Sequence, residues 1–372
     1  RRSPPNGLRD LCTGALERFL RFFDVPVLCM TASLPMDRRD TLVRACSLQM
    51  YPSDPESFPD LRRQAAHKRY QISLIEEPHA EQIAVDALIG GKKVLWVVNT
   101  VGRCQTIARR LVQSSAPAGG SLFCYHSRFS RSDRRDRHEE VVRVFRRDQK
   151  QSALAVTTQV CEMSLDLDAD VLITEYAPVP SLIQRMGRCC REPDPLLGRM
   201  GLVYAYKPES ERPYQAEKGA IEKGERFLRE LAQKGAVCHA DLSDYLQQMP
   251  VTEPFIEEGY SSFLDSGWAA GSKQQDFREG DEFTVDCVLD RDVEAYLEVK
   301  RRRGVTDGFI VPIPKRFARF NEKLGRFLRE APASQYSSDF GFYVLAIPEG
   351  IFPRFSGHII RQCCCSYCSG ER

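Results

Sequence analysis

Two short apolar runs with an acidic, hydroxyl-bearing loop between them constrain this chain more than any other feature. The stretch runs from Ala153 to Arg191 and reads ALAVTTQVCEMSLDLDADVLITEYAPVPSLIQRMGRCCR. Ala153–Thr157 and Val171–Thr174 show no polar alternation. That is the pattern of strands buried on both faces, and it calls for a parallel sheet covered by helices. Pro178 and Pro180 end the second run, and Ser181 stands where the N-cap of a following helix belongs. With that helix continued to Arg191, the residues Gln184, Arg188 and Arg191 fall at i, i+4 and i+7 and share one face. Guanidinium forks beside the C-terminal edge of a parallel sheet suit polyphosphate, because they pair with its oxygens and stabilise charge that builds during transfer. A solvated basic face on an amphipathic helix is the plainer alternative.

The spacing Q-R-x-G-R-x-x-R, joined to T-Q-V-C-E-M-S-L-D upstream, resembles motifs VI and V of superfamily 2 helicases. Within that superfamily it is most similar to the CRISPR-associated helicase-nuclease of Type I interference systems. The resemblance implies ATP held between two RecA-like motor domains. Gln184, Arg188 and Arg191 then carry catalysis and nucleotide contact as arginine-finger elements, Asp166 lies near the ribose, and Thr158 contacts nucleic acid. Gln159 and Glu162 share that loop without an assigned role. Asp168 and Asp170 read as turn residues, and Arg185 as a support for the helix or the opposite motor domain.

Thr31-Ala32-Ser33, followed by Leu34-Pro35, resembles motif III, which couples ATP state to nucleic-acid grip. Asn99-Thr100, after the apolar run Val94–Val98, resembles the motif IV region. His126-Ser127-Arg128, after Leu122–Tyr125, resembles another strand-end contact to a backbone phosphate. A simple helix cap explains Asn99-Thr100 equally well. The likeness runs from about Pro26 to Tyr206. Neither G-K-[ST] nor D-E-x-H occurs, and Gly90-Gly91-Lys92-Lys93 precedes a strand and lacks a magnesium-binding hydroxyl. The expected arrangement is therefore the C-terminal portion of a helicase. ATP is its nucleotide, and Mg2+ is held by the motor half that precedes it. No His-Asp dipeptide marks a metal nuclease.

The alternation of short apolar runs with helical patterns predicts an α/β fold. Residues 1–69 read as the end of a first RecA-like domain, 70–208 as a second RecA-like domain with helices on both faces of a parallel sheet, and 209–372 as a mixed α+β accessory domain. Further expected elements are helices over Pro78–Ile89, Gly102–Leu111 and Gln215–Lys234, and strands over Gln71–Ile75, Gly201–Tyr206, Glu282–Leu289 and Phe342–Ile347. The charged run RSDRRDRHEEVVRVFRR reads as a solvated helix with internal ion pairs. Lys300–Arg303 and Lys315–Arg319, near Phe309, Phe317 and Phe320, offer a single-strand channel, against which stands a helix that packs its phenylalanines inward. Cys363, Cys364, Cys365 and Cys368, with His358, form a tail in which zinc is the minor expectation and a frayed end the major one.

Net charge is only +2, so nucleic-acid binding has to use a local patch. The 14 scattered cysteines and the absence of an apolar leader or spanning run predict a cytoplasmic protein with reduced thiols and no membrane contact. Single-stranded DNA, the missing motor half and a guide-RNA surveillance complex are the expected partners. Two alternatives stand beside this reading: another superfamily 2 helicase acting on DNA or RNA, and a non-catalytic nucleic-acid-binding fragment.

Overall fold

The computed structural model describes residues 58–114, 120–162, 166–191, 198–215, 219–248, 284–325 and 328–343, with isolated positions before residue 52. Thr31, Ala32, Ser33 and the cysteine-rich tail lie outside the described residues. Chain order is α1 (Pro59–Ala66), β1 (Lys68–Leu74), α2 (Glu77–Ile89), β2 (Lys93–Val97), α3 (Val101–Ser114), β3 (Ser121–Tyr125), α4 (Arg131–Phe145) and β4 (Ala153–Thr157). Next come β5 (Val171–Glu175), α5 (Val179–Met186), β6 (Gly201–Tyr206), α6 (Ala220–Gln233), β7 (Ala236–Cys238) and α7 (His239–Gln248).

The strands form one seven-stranded sheet in the order β3-β4-β2-β5-β6-β1-β7, parallel throughout except for β7, which runs antiparallel to β1. Every residue of β2, β4 and β5 is buried, as their unbroken apolar runs require. Alternate side chains feed two cores. Leu95, Val97, Phe123, Ala155 and Leu172 pack on one face under residues of α4, α5, α6 and α7. Val94, Trp96, Val98, Val156 and Ile173 pack on the other under α2 and α3. The Trp96 indole donates to the Tyr206 hydroxyl at 2.9 Å, which satisfies the one polar atom that so large a buried ring carries.

The expected domain end at residue 208 is corrected. β7 adds an edge to the sheet, and Phe227, Leu228, Leu231, Val237, Leu242 and Leu246 fill the same core as Leu95 and Leu172. A charged surface pattern disguised this part of the domain, because α6 buries only one stripe. At Gly224 that stripe lies so close to the loop after β5 that a Cβ would stand 1.9 Å from the Ala177 carbonyl oxygen.

A second, smaller unit follows. β8 (Thr284–Leu289) is central in a three-stranded sheet, parallel to β10 (Arg329–Ala331) and antiparallel to β9 (Val311–Pro314). α8 (Val293–Arg301) sets Val293 and Tyr296 against Val288 and Ile310. A hairpin, β11 (Tyr336–Ser337) and β12 (Gly341–Phe342), closes the described part. Phe309 and Phe317 turn inward, against Tyr296 and Phe342 respectively, whereas Phe320 is exposed.

Candidate functional site

The loop after β4 and the segment after β5 meet on one side of the sheet. From Thr158 the chain makes a single 3₁₀ turn, Gln159–Cys161, with Cys161 fully buried. α5 begins one turn earlier than its sequence suggests. Pro178 is its N-cap and its carbonyl accepts from the Leu182 N–H at 3.0 Å, which places Ser181 inside the first turn. The helix also ends early, and this overturns the shared face of Gln184, Arg188 and Arg191. Gly187 caps it, Arg188 and Cys189 close a tight turn onto Arg185 and Met186, and the backbone then pairs with Ala169. Ala169 N–H donates to the Arg188 carbonyl at 3.0 Å and Cys190 N–H to the Ala169 carbonyl at 2.8 Å, while Cys190 adopts φ 46°. An isolated backbone bridge to Ala169, just before β5, displaces continued helix here, so of the three residues only Gln184 stands on α5.

The acidic loop, rather than the helix, gathers the arginines. Arg188 donates from Nε to the Cys161 carbonyl at 3.0 Å and from a terminal nitrogen to the Glu162 carbonyl at 2.8 Å. Arg191 pairs with Asp166 at 2.5 Å, and its backbone N–H donates to Asp168 at 2.9 Å. Arg188 is half-buried, and burial followed by the like charge of Arg191 lowers its pKa. Arg191 and Asp166 remain exposed, with side chains 45% and 77% accessible. Two guanidinium groups that repel each other beside solvent form a site that an anion would relieve. Gln184 is half-buried on the adjoining turn.

Behind this surface lies a buried polar network that the sequence did not reveal. Arg185 is fully buried and donates to Glu162 (2.9 Å), the Thr174 hydroxyl (2.9 Å), the Glu175 carbonyl (3.1 Å), the Asn99 side-chain oxygen (3.0 Å) and the Tyr214 hydroxyl (3.3 Å). Burial works against its charge, but Tyr214 and Glu162 beside it more than offset this and raise its pKa. Glu175 accepts from the Asn99 backbone N–H and from Arg103, yet burial still pushes its carboxyl upward. Arg103 in turn pairs with Glu77 and Glu209. Asp168 and Asp170 do more than make a turn, since both clasp Arg199. Their partner lies some 30 residues downstream, beyond the reach of local pattern reading.

The expected nucleic-acid residues divide. Thr158 is buried at the turn that leads to Arg188's carbonyl partners, and Thr100 accepts from the Arg103 N–H as a cap for α3. The Asn99 side chain is committed, donating to the Tyr176 carbonyl at 2.9 Å and accepting from Arg185. His126 is fully buried: Nε2 meets the Phe340 carbonyl at 2.9 Å, Nδ1 accepts from the Arg128 N–H at 3.1 Å, and the ring stacks on Phe129. With both nitrogens engaged, the imidazole is out of reach of a phosphate, which corrects that expectation. Ser127 and Arg128 are half-buried, and the Arg128 carbonyl accepts from the Phe342 N–H. α4 exposes most of its charged side chains, as a solvated helix should, and three of its charged residues find partners further off. Its charges reach to the smaller unit, with Arg131 on Asp286 and Asp307, Arg137 on Asp339, and Asp133 on the Tyr336 hydroxyl.

Among the described residues no group of three or more His, Cys, Asp or Glu is placed to hold a metal ion, and no helix is long and apolar enough to cross a membrane. A family model for the C-terminal region of the CRISPR-associated nuclease/helicase Cas3 matches residues 90–194. A Myxococcus xanthus (strain DK1622) protein described as a Cas3 nuclease/helicase is 42% identical over 191 residues, covering 49% of this chain and 24% of the relative. The Cas3 endonuclease/helicase of Escherichia coli (strain K12) is 27% identical over 192 residues, covering 44% and 21%. The crystal structure of T. fusca Cas3 with ADP matches 91% of this chain and 52% of its own at 18% identity, with a TM-score of 0.54, a likeness of fold. The chain thus spans about a quarter of the length of the curated relatives it matches. Residues 90–194 thus match the Cas3-like C-terminal model, and the proteins the chain is similar to are described as CRISPR-associated Cas3 nuclease/helicases.

Proposed function

We propose that this chain supplies the second motor domain of an ATP-dependent DNA helicase or translocase acting in CRISPR interference. One observation carries the reading. Arg188 and Arg191 converge on one acidic loop with an exposed carboxylate, Asp166, within the residues that match the Cas3-like model. That donor set suits one flank of ATP. Guanidinium groups match phosphate oxygens, and a carboxylate accepts from a ribose hydroxyl. When bound, ATP supplies a transferable γ-phosphoryl group. Arg188 and Arg191 hold positive charge where transfer builds negative charge, and Gln184 orients from the last turn of α5. Mg2+ belongs to the motor half that carries the G-K-[ST] loop, and single-stranded DNA crosses the loop ends near Thr158 and Thr100. A guide-RNA surveillance complex is the partner this role requires.

In a motor completed with its phosphate-loop half, Arg188→Ala is expected to lower ATP turnover roughly 10³-fold or more. Arg188→Lys rescues poorly, because an ammonium keeps the charge and loses the two-pronged geometry. Thr158→Ala weakens stimulation by single-stranded DNA and leaves ATP binding near normal. This chain by itself is expected to turn over ATP negligibly and to bind single-stranded DNA with an affinity that falls steeply with salt. Steady ATPase activity from the clean chain, lost on Arg188→Ala, contradicts the division of labour between the two halves.

A further inference from the structure

Arg185 is a fully buried guanidinium, and the five acceptors given above match the five N–H groups that an arginine possesses. Such satisfaction removes Arg185 from any role as a ligand contact. Its most consequential bond is to Glu162. The Glu162 carboxylate accepts from Arg185 Nε at 2.9 Å, and the Glu162 backbone carbonyl accepts from Arg188 at 2.8 Å. One residue therefore faces two guanidinium groups, with its side chain on one and its main chain on the other. The Glu162 N–H closes the preceding turn on the Gln159 carbonyl at 3.0 Å, so little slack separates carboxylate from carbonyl. Glu162 itself is nearly buried, with a side chain 11% accessible.

We propose that Glu162 and Arg185 are positioning residues for Arg188: Arg185 fixes the Glu162 side chain, and the turn so fixed presents the Cys161 and Glu162 carbonyls that aim the Arg188 guanidinium. The Arg188 side chain alone does not set its direction, since its segment lies in a turn past the end of α5. The Glu162 carboxylate also favours the charged form of both guanidinium groups. Hydrogen bonds from Arg185 to Asn99 and Thr174 tie this arrangement to the ends of β2 and β5, so the aim is referred to the rigid sheet. The inference deepens the reading in which Arg188 meets phosphate, and it rests on that reading.

Two measurements test it. The first uses the chain itself, with ¹⁵N-labelled arginine and the Arg188 Nε–H resonance assigned by Arg188→Lys. That proton, held by the Cys161 carbonyl, is expected to exchange slowly with solvent. Glu162→Gln keeps an acceptor and should preserve the slow exchange. Glu162→Ala removes the acceptor and Glu162→Asp shortens its reach while keeping charge, and both should speed exchange about tenfold or more as the hydrogen bond is lost. Glu162→Asp also guards against loss of fold in the alanine variant. The second measurement is a double-mutant cycle in the completed motor. Glu162→Ala should lower kcat about tenfold with KM for ATP within about twofold, and adding it to Arg188→Ala should cost nothing further. Additive losses, or an Arg188 resonance unchanged by Glu162→Asp, overturn the proposal. Full turnover in Arg188→Ala would instead overturn the phosphate reading, and the exchange measurement would still decide whether Glu162 aims Arg188.

Discussion

Two strand ends in this molecule look alike in sequence and behave differently in structure. His126-Ser127-Arg128 follows β3, and the Arg188–Arg191 segment follows the helix after β5; both are small clusters of cationic residues near sheet edges, and both suggest phosphate. At the first, His126 is fully buried beneath the hairpin of the smaller unit, and both ring nitrogens are spent on protein partners. At the second, Arg188 is held by backbone carbonyls, has a pKa lowered by burial and by its neighbour Arg191, and adjoins an exposed ion pair. Residue type does not separate the two. What separates them is access to solvent: the imidazole is fully enclosed, whereas Arg188 is half-buried beside the exposed Arg191 and Asp166.

That contrast can be broken at several points. The largest effect on stability is expected where a buried charge loses its place. Arg185→Met strands Glu162 and the Asn99 oxygen in the interior and should cost about 3–5 kcal/mol in denaturant unfolding. Next comes the contact that covers His126. Gly341 has φ 69°, and a Cβ there would stand 2.6 Å from the His126 ring and 2.7 Å from the Arg128 carbonyl oxygen. Gly341→Ala should therefore cost about 2 kcal/mol and raise amide exchange across β3, the N-terminus of α4 and the hairpin together. Exchange confined to the hairpin would mean the dock does not bear on His126. The smallest effect belongs to Arg191→Ala, whose exposed pair with Asp166 should contribute no more than about 1 kcal/mol by thermal melting. Any larger loss of turnover in that variant then belongs to the chemistry and not to the fold.

Much of the sheet was legible because its information is local. Apolar runs gave β4 and β6 residue for residue, and β2 and β5 to within a residue at each end, since the full burial of β2, β4 and β5 and the near-full burial of β6 leave a signature in the strand itself. The end of α5 was not legible, because bonding between Arg188–Cys190 and Ala169 decides it, and no helix propensity records that competition. The hub role of Arg185 was hidden for a similar reason. Its acceptors come from five separate positions between Asn99 and Tyr214, and only the folded sheet brings them to one guanidinium. Likewise the partners of Arg131 and Arg137 on the solvated helix α4 were hidden, because Asp286, Asp307 and Asp339 come from the smaller unit.

The most direct test sets the two strand ends side by side in one assay: DNA-stimulated ATP turnover of the completed motor, measured per folded molecule for Arg188→Ala and His126→Gln. Arg188→Ala should lose roughly 10³-fold or more, and His126→Gln should stay within about threefold of the parent, since a docked imidazole touches neither nucleotide nor strand. Full turnover in Arg188→Ala, or an equal collapse in both variants, would contradict the assignment of chemistry to one end and docking to the other.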